Sequence, residues 1–305
     1  MRFLGWGLSC LVISGTSLGC SSSTPSSSPT PDSSSSTQLS NETEKSKDAE
    51  GSGILMLTAN GEDFVRQGFV SKDGWAIAFD HVYLTLSNVI AYQTDPAYDA
   101  KASDAIANIT QKVTVQDDPI TVDLAAGDAD ADPIVVNTVS APAGHYNALS
   151  WSMIPDPASA PKGYSIQLLG TATKAEQTIQ FSIGLDEAYY YSCGEFIGDT
   201  RKGILSNDQS ASVEITLHFD HIFGDGSNSL STPDDTPDSD ATNEEDINSG
   251  ALGFNPLAAL AQDNALNVDL TSLETTLSPD HLAQLHDAIE GLGHVGEGHC
   301  AIPTL

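Results

Sequence analysis

The chain has 305 residues and a formal net charge of −31, with 11 Lys and Arg against 42 Asp and Glu. Because nucleic-acid binding depends on basic patches that contact phosphates, this balance argues against a nucleic-acid partner. The acidity is compatible with cation binding, or simply with solubility.

Residues 1–20 have the pattern of a bacterial signal peptide. Arg2 supplies a positive start, and residues 3–13 form an apolar core that is shorter than the roughly 20 residues needed to span a bilayer. Ser17-Leu18-Gly19-Cys20 resembles a lipobox, whose Cys is acylated, although Ser stands where Leu is usual. We therefore expect a lipoprotein whose Cys20 is the membrane anchor. An ordinary signal peptide cleaved nearby is the alternative.

Residues 21–50 are predicted to be a disordered tether. Twelve of these thirty residues are Ser, and the only large apolar one is Leu39. Such a segment cannot bury enough surface to offset the entropy of ordering it. An anchor followed by a flexible spacer predicts a folded domain, residues 51–305, held away from a bacterial membrane. The outer membrane is preferred, with the domain facing the periplasm or the cell surface.

The folded region is predicted to be mainly β, an antiparallel β-sandwich with a short C-terminal helical appendage. Strands are expected at residues 54–58, 75–92, 112–115, 120–124, 134–139, 145–153, 164–169, 178–183 and 212–223, separated by Pro, Gly and Asp turns. Within residues 75–92 the apolar alternation shifts phase at Asp80-His81, which predicts a β-bulge.

Residues 224–250 form an acidic stretch with eight Asp and Glu but no EF-hand spacing. A solvated loop is favoured there over an organised calcium site. Residues 255–305 are predicted to be a helical tail. Asn255-Pro256 and Ser278-Pro279 are good helix starts, and Gly291 is a stop signal.

Four Cys are present, of which Cys10 lies in the signal peptide and Cys20 is the predicted anchor. An oxidising compartment favours a disulfide between the remaining two, Cys193 and Cys300. The alternative is that Cys300, beside His299, is a free thiolate metal ligand.

A short sequence echo suggests a site. Phe79-Asp80-His81-Val82 and Phe219-Asp220-His221-Ile222 share Phe-Asp-His before a β-branched residue, and His218 precedes the second copy. In a regular strand His218 and His221 point to opposite faces, but a bulge or turn could bring them together. The alternative interpretation is a core Phe, a turn-capping Asp and a surface His.

The tail adds a second cluster, because residues 291–300 place two His, a Glu and a Cys among four Gly. No standard zinc spacing is present, but six of the eight His lie in the last third of the chain. The predicted ligands for zinc or copper are His81, His218, His221, His294 and His299, with Asp220 and Glu297 as supporting oxygens.

We therefore expect a protein that captures a transition metal or hands it to a metal-transport partner. No nucleophile, phosphate-binding or metalloprotease motif was found, so an enzyme is not expected. The rival prediction is a non-catalytic surface module that binds a protein or glycan, with the aromatic run of residues 189–191 as a contact platform.

Residues 121–151 read TVDLAAGDADADPIVVNTVSAPAGHYNALSW. The order Val-Asp-Leu, variable loop, Ala-Pro-Ala-Gly-His-Tyr, then an alternating strand resembles uncharacterised bacterial lipoprotein domains of the immunoglobulin-like or transthyretin-like type. It is more distantly similar to periplasmic copper-binding proteins associated with methanobactin uptake. The resemblance covers residues 54–153 and implies a β-sandwich with an extracytoplasmic accessory role. It assigns no ligand residue.

Overall fold

The structure is a computed structural model that describes residues 51–103, 105–158, 163–226 and 247–303. The predicted signal peptide and tether lie outside these residues, as does most of the acidic stretch. None of the described helices has the length and apolar character needed to cross a membrane.

The prediction of a mainly β protein is confirmed, since strands take 47% of the structure and helices 16%. The described strands are β1 (Ser52–Asn60), β2 (Phe69–Val70), β3 (Ala76–Thr94), β4 (Ile109–Gln116), β5 (Ile120–Asp123), β6 (Ile134–Pro142), β7 (Gly144–His145), β8 (Ala148–Met153), β9 (Ile166–Lys174), β10 (Gln177–Leu185), β11 (Tyr189–Cys193), β12 (Ile204–Leu205), β13 (Ser210–Leu217), β14 (Ala265–Asp269), β15 (Gly293–Val295) and β16 (Gly298–Ala301). The described helices are α1 (Glu62–Gln67), α2 (Asp220–Phe223), α3 (Ile247–Gly250), α4 (Asn255–Ala258), α5 (Leu270–Thr276) and α6 (Pro279–Glu290).

Fourteen of these strands form one mixed sheet that curls into a half-barrel. Its strand order is β14-β10-β9-β3-β8-β11-β16-β15-β13-β1-β6, with β2, β4 and β5 also pairing with β3. The β1·β13 and β10·β14 pairs are parallel. The fold is therefore not clearly the antiparallel sandwich expected from the sequence. Parallel neighbours are joined by long crossovers, which leave no turn signal between the paired strands.

The β-bulge predicted in the long strand β3 is confirmed. Its register against β9 shifts between Phe79 and His81. Ile77 before the shift and Leu84 after it are both buried in the core. The extra residue resets the side-chain alternation, so both halves of the strand face the same core.

The strand predicted over residues 212–223 ends earlier than expected. β13 stops at Leu217, and the chain turns into α2. Phe219 and Phe223 are fully buried, with ring centroids 6.1 and 6.2 Å from that of Phe79. Apolar residues four apart lie on one face of a helical turn, so core packing favours the turn over a continued strand.

Several strands, β1 and β13 among them, end at the same edge of the sheet. The parallel partners β1 and β13 bring Asn60 opposite Thr216. Across the next two pairs, Thr216 is opposite His294 and His294 is opposite His299. These residues form a row, and the segments that follow β1 and β13 start beside it.

The C-terminal region combines the predicted helix with an unexpected hairpin. α6 begins after Ser278, whose hydroxyl accepts from the His281 N–H, and it ends at Gly291. The following residues are not a Gly-rich loop but the hairpin of β15 and β16. The sulfur atoms of Cys193 and Cys300, opposite each other in β11 and β16, lie 1.97 Å apart. The predicted disulfide is therefore present in the structure.

Candidate metal centre

Three histidines converge at the edge where β1 and β13 end. His218 follows β13, His221 lies in α2, and His294 lies in β15. One potential ligand nitrogen from each lies within 4.8 Å of those of the other two. Three elements that are separate in sequence therefore supply one compact imidazole cluster, which we call the His cluster.

A helical turn brings the two histidines of the second echo together. The His221 N–H donates to the His218 carbonyl at 3.2 Å, and the two ring centroids are 5.8 Å apart. In a strand, residues three apart would point to opposite faces. The buried Phe219 and Phe223 anchor the turn, so packing of the aromatic core positions the imidazoles.

The hydrogen bonds of His294 identify its open nitrogen. Nε2 lies 3.1 Å from the carbonyl oxygen of Gly291, which can only accept, so Nε2 carries the proton. Nδ1 is then the lone-pair atom, and it is buried without a hydrogen-bond partner among the described residues. A histidine that donates one nitrogen to a carbonyl and offers the other is the usual arrangement of a metal ligand.

Gly291 also makes room for His221. A Cβ atom at position 291 would lie 2.9 Å from Nδ1 of His221, closer than two such atoms can approach. Its backbone φ of −79° is one that any residue adopts. The absence of a side chain is therefore required by the packing of the His cluster, not by backbone strain.

The cluster keeps two of its three imidazoles, those of His221 and His294, in the neutral form. Burial, together with the neighbouring His218 and His299, lowers the pKa of His221 to about 4. The same causes, with His221 added, lower the pKa of His294 to about 2. Burial also lowers the pKa of His218, but the Glu62 carboxylate, together with Asp220 and Glu297, outweighs burial and the pKa is raised. Since the rings of His218 and His294 stack 4.0 Å apart, only one of them can take up a second ring proton and become a cation at low cost.

Two carboxylates border the His cluster. Asp220 is buried, its Oδ1 lacks a hydrogen-bond partner among the described residues, and burial raises its pKa to about 6. Glu62, at the start of α1, places Oε1 3.3 Å from Nε2 of His218. Glu62 is not among the ligands predicted from the sequence, because its proximity to His218 depends on the parallel pairing of β1 with β13.

Of the remaining predicted ligands, two lie near the His cluster and one is separate from it. The ring of the exposed His299 lies 4.3 Å from that of His294 and 6.1 Å from that of His221. Glu297 is exposed in the hairpin turn and acts on the cluster through its charge. His81 is not a member of the cluster, since its Nδ1 is 2.7 Å from Asp123 Oδ2.

The structure also shows the contacts of the predicted aromatic platform and of the acidic stretch. Tyr191, from the aromatic run, is buried, stacks on Trp151 and donates its hydroxyl to the Ile289 carbonyl. Asp225, from the acidic stretch, is buried, and its backbone N–H and carbonyl both bond the Asn248 side chain. The stretch is therefore tied together at its two described ends.

Chemically, the cluster offers several neutral nitrogen donors in a poorly solvated place, beside carboxylates that can balance a positive charge. Comparisons with protein-family models, with curated proteins and with solved structures gave no match.

Proposed function

We propose that the protein binds one transition-metal ion, zinc or copper, at His218, His221 and His294. The observation that supports this most is the convergence of three imidazoles within 4.8 Å. Nδ1 of His294 is buried there without a hydrogen-bond partner among the described residues. An unsatisfied buried polar atom costs about 1–3 kcal/mol, and coordination of a cation would remove that cost at this atom.

The chemistry of the donors fits this class of ion. Neutral imidazole is a preferred ligand of zinc and copper, and the lowered pKa values keep His221 and His294 neutral at pH 7. Ligand atoms around a tetrahedral ion with bonds of about 2.0–2.1 Å are roughly 3.3 Å apart. Binding must therefore draw the three nitrogens closer by up to about 1.5 Å.

We propose that the ion is captured or handed over through the side of His299. This imidazole is exposed, while His294 directly opposite it in the hairpin is buried. An exposed ligand beside a buried set can take up an ion first or present it to a transport partner. The proposed activity is binding and transfer rather than catalysis.

Metal titration of the full chain, purified without a histidine tag, tests this function. We expect about one zinc or copper ion per chain. His294→Ala should weaken the affinity at least about 100-fold, because loss of a ligand costs more than loss of a supporting partner. His81→Ala, in β3, and His286→Ala, in α6, remove imidazoles outside the His cluster and should leave the affinity unchanged. A wild-type chain that binds neither metal would overturn the proposal.

We further propose that the protein is exported and held on the outer membrane through a lipid on Cys20. The supporting pattern is the short apolar core, the lipobox-like Cys20 and the Ser-rich segment that follows. Cys20→Ala should abolish incorporation of labelled fatty acid and release the protein from membranes. Continued labelling of the variant would refute the anchor.

A further inference from the structure

Glu62 lies beside, not in line with, the ring nitrogen of His218. Oε1 is 3.3 Å from Nε2, yet the pair is not aligned as a hydrogen bond, and Nε2 has no other such partner in the described part of the chain. A carboxylate that only oriented the imidazole would lie on the N–H axis. The 3.3 Å contact falls short of that alignment, so a rotation of the Glu62 side chain could turn Oε1 towards an ion beside His218.

The distance between these two atoms fits a shared ion. A tetrahedral ion with bonds of about 2.0–2.1 Å to nitrogen and oxygen holds adjacent ligand atoms roughly 3.3 Å apart. Oε1 of Glu62 and Nε2 of His218 already have this spacing. The Glu62 carboxylate is not within 4.8 Å of all three ligand nitrogens, so its side chain must turn towards His221 and His294 when the ion binds. The carboxylate is also partly shielded, since the Glu62 side chain is 25% exposed.

The backbone of Glu62 is held in an unusual conformation. Its φ is +57°, in the left-handed region that few residues other than glycine adopt. Its N–H donates to Oδ1 of Asn60 at 3.0 Å, which fixes the turn from β1 into α1. Conformations of this kind cost of order 1–3 kcal/mol and cluster at ligand-binding sites. Asn60 is the residue that the sheet places opposite Thr216, two residues before His218.

We infer that Glu62 supplies the fourth, oxygen ligand of the His cluster and makes the site selective for a divalent ion, Zn²⁺ or Cu²⁺, over Cu⁺. This inference rests on the proposed function. The Coulomb attraction between the carboxylate and a divalent ion is about twice that for a monovalent ion at the same distance. Carboxylate is a hard donor, whereas Cu⁺ is selected by soft sulfur donors. The three histidines and Glu62 include no thiol or thioether.

Affinity measurements on the full chain test the role of Glu62. Glu62→Gln keeps the size of the side chain but replaces the anionic oxygen. It should weaken Zn²⁺ binding, measured by chelator competition, by about 10–100-fold. Binding of Cu⁺, maintained with ascorbate, should change less than about threefold. Asp63→Asn, which neutralises the exposed neighbour, is the matched control and should change neither affinity.

X-ray absorption at the zinc edge tests the same inference on the unmodified protein, so it does not depend on folding of a variant. We expect three imidazole ligands and one non-imidazole oxygen in the wild type. Four imidazoles would show that His299 takes the fourth position. That result, or equal zinc affinity of wild type and Glu62→Gln, would overturn the inference while leaving the proposed metal binding intact. Failure of the wild type to bind any metal would instead remove the proposed function.

Discussion

Adding a single methyl group at Gly291 tests the geometry of the His cluster without removing a ligand. Gly291→Ala would bring Cβ to 2.9 Å from Nδ1 of His221, so the imidazole or the α6 end must move. We expect a roughly tenfold loss of metal affinity, comparable to the loss of a supporting contact. Gly250→Ala is the matched control, because a Cβ there meets no atom within 4 Å. Competition titration measures both, and equal affinities would show that the site tolerates displacement of His221.

Only some of the histidines of the site could be recognised from the sequence. The repeated Phe-Asp-His pointed to His218 and His221, and a turn that unites them was one of the two arrangements considered. His81, in the other copy, lies in the bulge of β3 and pairs with Asp123. The copies diverge because the flanking residues differ: β3 continues as a strand beyond its bulge, whereas Phe219 and Phe223 draw the second copy into a helical turn.

At the scale of elements, the β15–β16 hairpin depends on the Cys193–Cys300 bond. β16 pairs with β11 through only two residue pairs, one of which is the cystine itself. The bond closes a loop with a sequence separation of 107 residues. Loops of this length gain up to about 4.7 kcal/mol from such a link in the chain-entropy model. His299 directly precedes Cys300 and lies opposite His294 in the hairpin. The disulfide therefore also holds in place the hairpin that carries His294.

The double variant Cys193→Ser/Cys300→Ser should therefore be less stable and bind metal more weakly. We expect the free energy of unfolding to fall by about 2–5 kcal/mol. Changing both residues avoids a free Cys300 thiol that could itself bind the metal. Urea denaturation of the metal-free protein and competition titration measure the two effects. If neither quantity changes, the hairpin is held by its backbone pairing and not by the disulfide.

For the molecule as a whole, local patterns predicted the strands and the bulge but not their arrangement. The β3 phase shift and the α6 boundaries depend on neighbouring residues, and the structure has both. The β1·β13 pairing joins residues more than 150 positions apart. No turn signal links them, so their common edge could not be predicted. That long-range pairing is what places Glu62 at His218, which is why the carboxylate was missed.

The stability of the metal-free protein should depend on pH through the His cluster. Below pH 6.5 the unfolded chain protonates His221 and His294, while the folded state resists until about pH 4 and about pH 2. The contribution of His221 and His294 to the free energy of unfolding is thus fully present above pH 6.5 and is lost as the pH falls. Asp220 acts oppositely, because its pKa is raised from 3.8 to about 6 and its contribution is lost as the pH rises through 6. His218, whose pKa is raised above 6.5, likewise loses its contribution at higher pH.

His294 gives the clearest measurement, because it is only 2% exposed and solvent screens it little. His294→Gln removes its titration and keeps a polar side chain of similar length. Between pH 6 and pH 4 the difference in free energy of unfolding, wild type minus variant, should fall by about 1.4 kcal/mol for each unit of acidification. Urea denaturation in a chelating buffer at pH 7, 6, 5 and 4 provides the four values. A difference that stays constant across this range would mean that His294 accepts a proton while folded. The imidazole would then be more solvated than its burial indicates, and the His cluster would not exclude protons in favour of a metal.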